Sequence, residues 1–368
     1  MRITRVDIYR YDLHYVHGEY VMSGGRVVRS LPSTVVRIST DDGLIGWGEV
    51  CPLGPTYLPA FAGGARAALA ELTPALIGAD PRNLAQVHAR MDVALAGHGY
   101  AKSPLDIACW DILGKATGQP VVTLLGGQRQ ERYPLYMAVP LGSPEEMAHY
   151  VAARRREGIH RFQLKVGGRP TLDAERVRRV FEVTTEDDVV IADANGGWRV
   201  QDAVLAARLL EDLPRVYLEQ PCPTLEECAQ VRRATSLPMI YDEIVTEVPS
   251  FLAAVQQGGA GGVNLKISRV GGLSRARVLR DLAEALGIAL TIEDTWGGDI
   301  VTAAISHLAA SVRPELLFTV SFMNDWVTEH IAGWQPRSRE GYGAPNPGPG
   351  LGVEVDVQML QLLFGAAG

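Results

Sequence analysis

The feature of this sequence that most constrains its fold is a series of short β-rich segments that recur at a nearly constant spacing. Eight such segments lie between about residues 133 and 321, and they end near Ala138, Lys165, Asp193, Glu219, Asp242, Lys266, Ile292 and Ser321. Successive ends are 23–29 residues apart, and an amphipathic stretch of helical length follows each segment. This pattern is typical of repeated βα units, and eight parallel strands of this kind close into a barrel.

The first third of the chain has a different pattern. Residues 3–50 alternate polar and apolar side chains in short stretches, which predicts a three-stranded antiparallel meander. Helical stretches follow at about 64–76, 84–96 and 103–117. We therefore predict an α/β fold, a TIM-like (β/α)7β barrel with an N-terminal α+β capping domain. The expected divisions are 1–128 for the capping domain, 129–335 for the barrel with the catalytic site, and 336–368 for a Gly/Pro-rich segment that returns to the capping domain.

Composition excludes several classes of function. The chain has 35 Lys and Arg against 42 Asp and Glu, so it lacks the basic surface that nucleic acid requires. No apolar run is long enough to span a bilayer, and the first twenty residues lack a signal-peptide core, so we expect a cytoplasmic protein without a membrane partner. The four cysteines have no metal-ligand spacing and are expected to be buried thiols.

Five consecutive barrel segments end in a charged residue. Active sites of such barrels lie at the C-terminal ends of the strands, so polar residues at these positions are candidates for chemistry. A single Asp at a strand end is more often a helix N-cap than a ligand. Three buried carboxylates together, however, require a compensating cation, which argues against a purely structural role. The five residues are Lys165, Asp193, Glu219, Asp242 and Lys266.

The three acids predict a metal site between two lysines. Asp193, Glu219 and Asp242 offer oxygen ligands without His or Cys, which suits Mg²⁺. Such an ion would stabilise the enediolate formed when a proton leaves the carbon next to a carboxylate. To act as a base, a lysine must lower its pKa by about three units, and nearby Mg²⁺ would supply much of that shift. We expect Lys165 and Lys266 to stand on opposite faces of the substrate α-carbon.

The ordered motifs resemble the enolase superfamily, in its muconate lactonizing enzyme and mandelate racemase branches. They run from GLIGWGE and LLGG through QLKVGGRP, DANGGW, EQPC, YDE and NLKISRVGG to DTWGGD, over nearly the whole chain. The family's KxK motif reads Gln163-Leu164-Lys165 here. The resemblance therefore assigns proton transfer to Lys165, and Gln163 replaces the lysine that usually lowers the pKa of that residue. Glu293-Asp294 replaces the His of mandelate racemase and sugar-acid dehydratases, which disfavours sugar acids.

Within the superfamily, MSGGR, CPLGPTY, YAKSPLDIA, KVGGRP and EDTWGGD are similar to enzymes that act on proline derivatives. The resemblance implies Mg²⁺-dependent dehydration of cis-3-hydroxy-L-proline to 1-pyrroline-2-carboxylate, or alternatively 2-epimerisation or racemisation of hydroxyproline betaine or proline betaine. A quaternary ammonium requires an aromatic box, whereas a secondary ammonium requires a carboxylate. Asp294 is positioned for the latter, and no Trp stands at Ser321, although Trp326 follows. These features favour the dehydratase.

By analogy with the family, Lys165 removes the α-proton and Lys266 protonates the leaving hydroxyl, although the roles could be exchanged. The resemblance also implies a small-molecule substrate and a homo-oligomer, either a dimer or an octamer. Dipeptide epimerisation or cycloisomerisation ranks third. A pseudo-enzyme would have lost a ligand or a lysine, and all five are present.

Six further residues are candidates for supporting roles. We expect Tyr57 and Trp296 to contact the substrate together with Asp294, with ordinary loop packing as the alternative. Gln163, Asn195 and Gln220 adjoin a lysine or a ligand in the sequence. They are expected to act on the metal site through contacts with its ligands, without binding the metal themselves.

Overall fold

The computed structural model describes residues 1–333 and 335–368. It contains a small antiparallel sheet with helices, called the cap below, and an eight-stranded parallel barrel. The predicted fold class is confirmed. Among the described residues, no helix combines the length and the apolar character needed to cross a membrane. All four cysteines are free and buried, as predicted.

The cap is built on a four-stranded antiparallel sheet whose fourth strand comes from the far end of the chain. Its strands are β1 (Ile3–His14), β4 (Ser30–Thr40), β5 (Ile45–Val50) and the C-terminal β16 (Gln361–Ala367), and a hairpin of β2 (Tyr20–Val21) and β3 (Val27–Val28) lies between β1 and β4. The sheet order β16-β1-β4-β5 contains the predicted meander. The cap helices are α1 (Ala62–Leu76), α2 (Leu84–Ala94), α3 (Gly99–Thr117) and α4 (Val121–Leu124). Gly118 ends α3 in the left-handed conformation, with φ 66°.

The barrel contains the eight predicted parallel strands. They are β7 (Met137–Val139), β8 (Arg161–Lys165), β9 (Val189–Asp193), β10 (Val216–Glu219), β11 (Met239–Tyr241), β12 (Gly262–Lys266), β13 (Ala289–Glu293) and β14 (Leu317–Val320). A parallel bridge between Leu135 and Val320 joins the first edge to the last, and the Tyr136 amide donates to the Val320 carbonyl at 2.9 Å. Two short strands, β6 (Tyr133–Pro134) and β15 (Tyr342–Gly343), pair beside this closure.

Helices follow each of the strands β7 to β13. They are α5 (Pro144–Arg155), α6 (Pro170–Phe181), α7 (Val200–Arg208), α8 (Leu225–Arg233), α9 (Val248–Gln256), α10 (Ile267–Val270), α11 (Leu273–Leu286) and α12 (Asp299–Ala310). Capping boxes begin α5 at Ser143 and α8 at Thr224. Every residue of α12 is buried, which its small apolar composition permits.

Glu49 on β5 joins the cap to the barrel. Its Oε1 accepts hydrogen bonds from the Tyr11 hydroxyl at 2.5 Å, the Ser33 hydroxyl at 2.7 Å and the Gly298 amide at 3.0 Å. Its Oε2 accepts from the Val301 amide at 3.1 Å, in the first turn of α12. The carboxylate therefore satisfies amides that a helix start leaves unpaired, and its charge complements the helix dipole.

We expect Glu49→Ala to lower the free energy of unfolding by about 3 kcal/mol or more, because it leaves several buried donors without an acceptor. Chemical denaturation would measure this loss. The control is Glu71→Ala on the exposed surface of α1, which is expected to change stability by less than about 0.5 kcal/mol. Equal effects of the two substitutions would contradict this account of how the domains are joined.

Candidate active site

The five predicted strand-end residues lie at one end of the barrel. Four are the last residues of their strands and the fifth directly follows β11; they are Lys165, Asp193, Glu219, Lys266 and Asp242. In the parallel register, Asp193 is the partner of both Lys165 and Glu219. All five are at most 6% exposed. Charges buried to this degree require neutralisation by neighbouring groups.

Lys165 is held by residues of the barrel. Its ammonium donates to Asp193 Oδ2 and, at 3.0 Å, to Gln163 Oε1. Burial acts to lower the pKa of Lys165, but Asp193 and the other acidic groups around it together raise it by more, so the pKa is raised well above its ordinary value. These surroundings favour the protonated ammonium.

Lys266 is held by both the barrel and the cap. Its ammonium donates to Asp242 Oδ2 at 2.6 Å and to the Tyr57 hydroxyl at 2.9 Å. Burial lowers the pKa of Lys266, but Asp242 and Glu293 raise it by more than burial lowers it. Burial likewise acts to raise the pKa of Asp242, and the charges of Lys266 and Arg269 bring it below its ordinary range.

Glu219 lies between the other two acids in the strand order and contacts amides instead of cations. Its carboxylate accepts from Gln163 Nε2 at 2.9 and 3.0 Å and from Asn264 Nδ2 at 2.7 Å. Burial raises the pKa of Glu219 well above its ordinary value, and the charges of Asp193 and Asp242 add to the effect. A cation beside Glu219 would stabilise the charged carboxylate and so lower the pKa that burial and the two acids raise.

Two predicted supporting residues contact the acids directly. Asn195 Nδ2 donates to Asp193 Oδ2 at 3.0 Å and to Glu243 Oε1 at 2.9 Å. Gln220 Oε1 accepts from the Asp242 amide at 3.1 Å. Asn195 and Gln220 both have positive φ, 46° and 34°, a conformation that non-glycine residues seldom adopt. Asn195 thus holds the carboxylate of Asp193, and Gln220 holds the backbone at Asp242.

The donor set suits a hard cation. It consists of oxygen atoms alone, and two further buried oxygens beside it, Asn195 Oδ1 and Glu243 Oε2, have no hydrogen-bond partner among the described residues. Within the described chain, no three His, Cys, Asp or Glu side chains are already arranged around a common metal position, because the acids contact lysine, arginine and amide groups. The residues therefore fit Mg²⁺ by the chemistry of their donor atoms, and Mg²⁺ would bind in place of the lysine contacts to Asp193 and Asp242.

A cavity beside the acids is lined by both lysines and by residues from both domains. Its polar lining includes Gln163, Lys165, Lys266, Glu293, Asp294 and Thr295, and its aromatic lining comprises Tyr20, Tyr57, Tyr136, Trp296 and Trp326. The three predicted substrate-binding residues, Tyr57, Asp294 and Trp296, are all in this lining.

Asp294 lines the cavity, but its carboxylate is bound to the protein. Its Oδ2 accepts from the Ser268 amide at 3.1 Å, and its Oδ1 accepts from the Ser268 hydroxyl and, at 2.7 Å, from the Thr295 amide. Asp294 therefore fixes the segment that follows Lys266. Its predicted contact with the substrate nitrogen stays a prediction, which this geometry disfavours.

Glu293, which was not among the residues predicted from the sequence, has a carboxylate oxygen without a hydrogen bond. Its Oε2 accepts from the Tyr136 hydroxyl, while its Oε1 lies 3.6 Å from the Lys266 ammonium and has no hydrogen-bond partner among the described residues. Glu293 is the parallel-register partner of Lys266. Strand alternation identifies it once the register is known, because residues in register on adjacent strands share a face.

The inference drawn from Ser321 needs correction. Although no Trp stands at that position, Trp326 lines the cavity, because the 3₁₀ helix Met323–Trp326 directly after β14 brings its ring there. Trp296 packs edge-on against Trp326 at 5.7 Å and against Tyr20 at 5.1 Å between ring centroids. The rings of Trp296 and Trp326 therefore both line the cavity.

Comparisons with known proteins agree with the geometry. Residues 146–359 match the family described as Enolase C-terminal domain-like, and residues 16–126 match the Mandelate racemase / muconate lactonizing enzyme, N-terminal domain. The chain is 46% identical over 341 residues to cis-3-hydroxy-L-proline dehydratase of Roseibium aggregatum, covering 93% of each protein. It is 31% identical to N-succinyl-L-Arg/Lys racemase of Bacillus cereus, covering 85% of each.

Solved structures are also similar over the full length. A mandelate racemase/muconate lactonizing enzyme from Roseovarius nubinhibens ISM superposes with a TM-score of 0.96 at 40% identity, covering 100% of this chain and 98% of that one. Another from the same organism, complexed with magnesium, has a TM-score of 0.96 at 36% identity and full coverage of both chains.

Proposed function

The chain belongs to the enolase superfamily, in its mandelate racemase and muconate lactonizing enzyme branch, and from this premise we propose that it dehydrates cis-3-hydroxy-L-proline to 1-pyrroline-2-carboxylate. The relative from Roseibium aggregatum, which bears that activity in its name, supports the choice of substrate. The observation that carries the proposal is a cavity in which two lysines and one carboxylate oxygen without a hydrogen bond come together.

The two lysines approach this cavity from opposite sides. Their strands, β8 and β12, are four positions apart in the eight-strand order, which places them across the barrel mouth from each other. In cis-3-hydroxy-L-proline the hydroxyl and the α-hydrogen lie on opposite faces of the ring. One lysine on each face therefore suits anti elimination.

In the proposed reaction, Lys165 accepts the α-proton while Lys266 gives a proton to the departing 3-hydroxyl. The Cα–H and C3–O bonds break, a double bond forms between Cα and C3, and water leaves. The resulting enamine tautomerises to the cyclic imine. Proton transfer by positioned groups of this kind accounts for rate factors of about 10² to 10⁴ each.

Asp193, Glu219 and Asp242 are the residues that would hold Mg²⁺. Magnesium bound there would offset the carboxylate charge that raises the lysine pKa values and would stabilise the negative charge that develops on the substrate carboxylate. Gln163, Asn195 and Gln220 would keep these acids in place.

Glu293 is the proposed partner of the ring nitrogen. Burial raises the pKa of Glu293 and Lys266 lowers it in part, so a cationic ring nitrogen near Oε1 would further favour the charged carboxylate. A secondary ammonium has two N–H groups, of which one would donate to that oxygen. Recognition of this kind distinguishes a proline ring from an uncharged ring of the same shape.

We expect Glu293→Gln to raise KM for cis-3-hydroxy-L-proline by about 10- to 100-fold, since it removes a charge-assisted hydrogen bond. The matched probe is (S)-tetrahydrofuran-2-carboxylate, whose ring oxygen replaces the ammonium. Calorimetry should show that the wild type binds L-proline more tightly than this probe and that the variant scarcely distinguishes them. An unchanged preference in the variant would assign ammonium recognition to another residue.

Epimerisation of a proline betaine is the second candidate, and the aromatic wall of the cavity favours it. Tyr20, Tyr136, Trp296 and Trp326 are ring surfaces of the kind that bind quaternary ammonium groups. The same lysine pair would remove and return the α-proton without a leaving group.

The decisive assay follows the product of purified enzyme with Mg²⁺ and cis-3-hydroxy-L-proline. Borohydride reduction of the reaction mixture should yield proline from the cyclic imine. The trans-3-hydroxy isomer, whose hydroxyl lies on the same face as the α-hydrogen, should react at least ~10²-fold more slowly, because its hydroxyl faces the base and not the lysine that would protonate it. Epimerised betaine without any imine from the hydroxyproline would favour the second candidate.

A further inference from the structure

The cap contacts the two lysines unequally. In the described chain, the hydrogen bonds that hold Lys165 come from barrel residues, whereas Lys266 donates to the hydroxyl of Tyr57, which belongs to the cap. Tyr57 in turn donates to Asp242 Oδ2 at 3.1 Å.

Arg26 joins the two cap loops that reach the barrel mouth, residues 15–29 and residues 51–61, called the first and second cap loops. From the first loop its Nη1 donates to the Thr56 carbonyl of the second loop at 2.7 Å. Its guanidinium carbon lies 5.7 Å from the centre of the Tyr57 ring. A residue of the first loop therefore contacts the part of the second loop that contains Tyr57.

The first cap loop is itself attached to the site. Arg26 Nε donates to the Ser23 carbonyl at 3.2 Å, and the buried Ser23 hydroxyl donates to the Asp193 carbonyl at 3.1 Å. Gly24 and Gly25 make this turn with φ values of 72° and 74°, which other residues rarely adopt. A continuous series of contacts thus crosses the barrel mouth from Asp193 to Lys266 through the cap.

We propose that Arg26 and Tyr57 are positioning residues through which the two cap loops together orient Lys266, while Lys165 takes its hydrogen bonds from barrel residues. The proposal rests on the proposed function in one respect, the use of both lysines for proton transfer at the ring α-carbon. With the loops apart, one of the two proton-transfer groups would be out of position. Elimination would then require a closed cap, which also keeps water from the intermediate.

The test uses α-proton exchange of L-proline and D-proline in D₂O, catalysed by the Mg²⁺-loaded enzyme and followed by proton NMR. Lys165→Ala and Lys266→Ala first show which enantiomer depends on which lysine. Tyr57→Phe and Arg26→Ala should then slow the Lys266-dependent exchange about 10-fold and leave the other within about 2-fold. A general structural role would slow both exchanges alike.

The matched control is Arg29→Ala. Arg29 lies in the same loop but pairs with Glu19 at the surface, so both exchanges should keep their wild-type rates. Equal slowing of both enantiomers in Tyr57→Phe, or full Lys266-dependent exchange in that variant, would overturn the proposal.

Amide hydrogen exchange of the Mg²⁺-loaded protein tests the link between the loops without any substrate. Arg26→Ala should speed amide exchange in residues 52–60, in the loop that does not contain the substitution, whereas Arg29→Ala should not. Unchanged exchange in residues 52–60 would overturn the coupling. Failure of the proposed function would appear differently, as a wild type that exchanges neither proline enantiomer, and the amide measurement would still decide whether the loops are coupled.

Discussion

Lys165→Ala is expected to reduce kcat for imine formation from cis-3-hydroxy-L-proline by about 10³-fold or more, and Lys266→Ala by a similar factor. Each substitution removes one of the two groups that transfer protons at the ring, and among residues 1–333 and 335–368 no other lysine lines the cavity. The two variants should differ in isotope exchange. If Lys165 is the base, Lys266→Ala still exchanges the α-proton with D₂O without forming imine, whereas Lys165→Ala does neither.

Lys102→Ala is the control for the loss of a buried ammonium. Lys102 is 1% exposed in α3 and pairs with Asp92 at 2.7 Å, so its removal should lower stability and leave kcat near the wild-type value. Exchange of the α-proton that persists in both Lys165→Ala and Lys266→Ala would contradict the assignment of these residues as the two acid–base groups.

Glu219→Gln is expected to have opposite effects on stability with and without Mg²⁺. In metal-free protein the pKa of Glu219 is raised by burial and by three neighbouring acids, Asp193, Asp242 and Glu293. An acid with a raised folded-state pKa destabilises the fold as pH rises from about 4.3 through that pKa, because the unfolded chain loses its proton first. The glutamine variant avoids this loss. In EDTA, its Tm should therefore exceed that of the wild type by a margin that grows with pH.

Magnesium should reverse this order. A ligand at about a hundred times its Kd stabilises a protein by about 2.7 kcal/mol, so Mg²⁺ should raise the Tm of the wild type and have little effect on the variant. Turnover should fall at least ~10³-fold in Glu219→Gln and in wild type treated with EDTA, and Mg²⁺ should restore only the latter. A Mg²⁺-dependent rise in Tm retained by the variant would remove Glu219 from the metal site.

The fold could be predicted because the β-rich segments recur at a nearly constant spacing along the sequence. Eight apolar segments with helices between them allow few arrangements, and the predicted strand ends match the observed ones to within one residue. The same regularity brought the charged strand ends together, because parallel strands in a barrel point their C-terminal ends at one site. Lys165 and Asp193 could therefore be placed beside each other from sequence.

Details of the pocket could not be predicted, because they depend on register and on loop packing. Choosing between Glu293 and Asp294 required knowing which one shares a face with Lys266, and the alternation rule becomes uncertain where a strand boundary is uncertain by one residue. Trp326 enters the pocket through a 3₁₀ turn whose direction no periodicity reveals. The contact of Tyr57 with Lys266 joins residues 209 positions apart.

The central claim is that the lysine pair and a Mg²⁺ site act on a proline ring to eliminate water. Proton NMR in D₂O tests it most directly, with Mg²⁺-loaded wild-type enzyme and separate samples of cis-3-hydroxy-L-proline, L-proline and proline betaine. We predict loss of the hydroxyproline signals with the appearance of the cyclic imine acid, and α-proton exchange without elimination for L-proline. Exchange or epimerisation of the betaine, with cis-3-hydroxy-L-proline left intact, would contradict the claim.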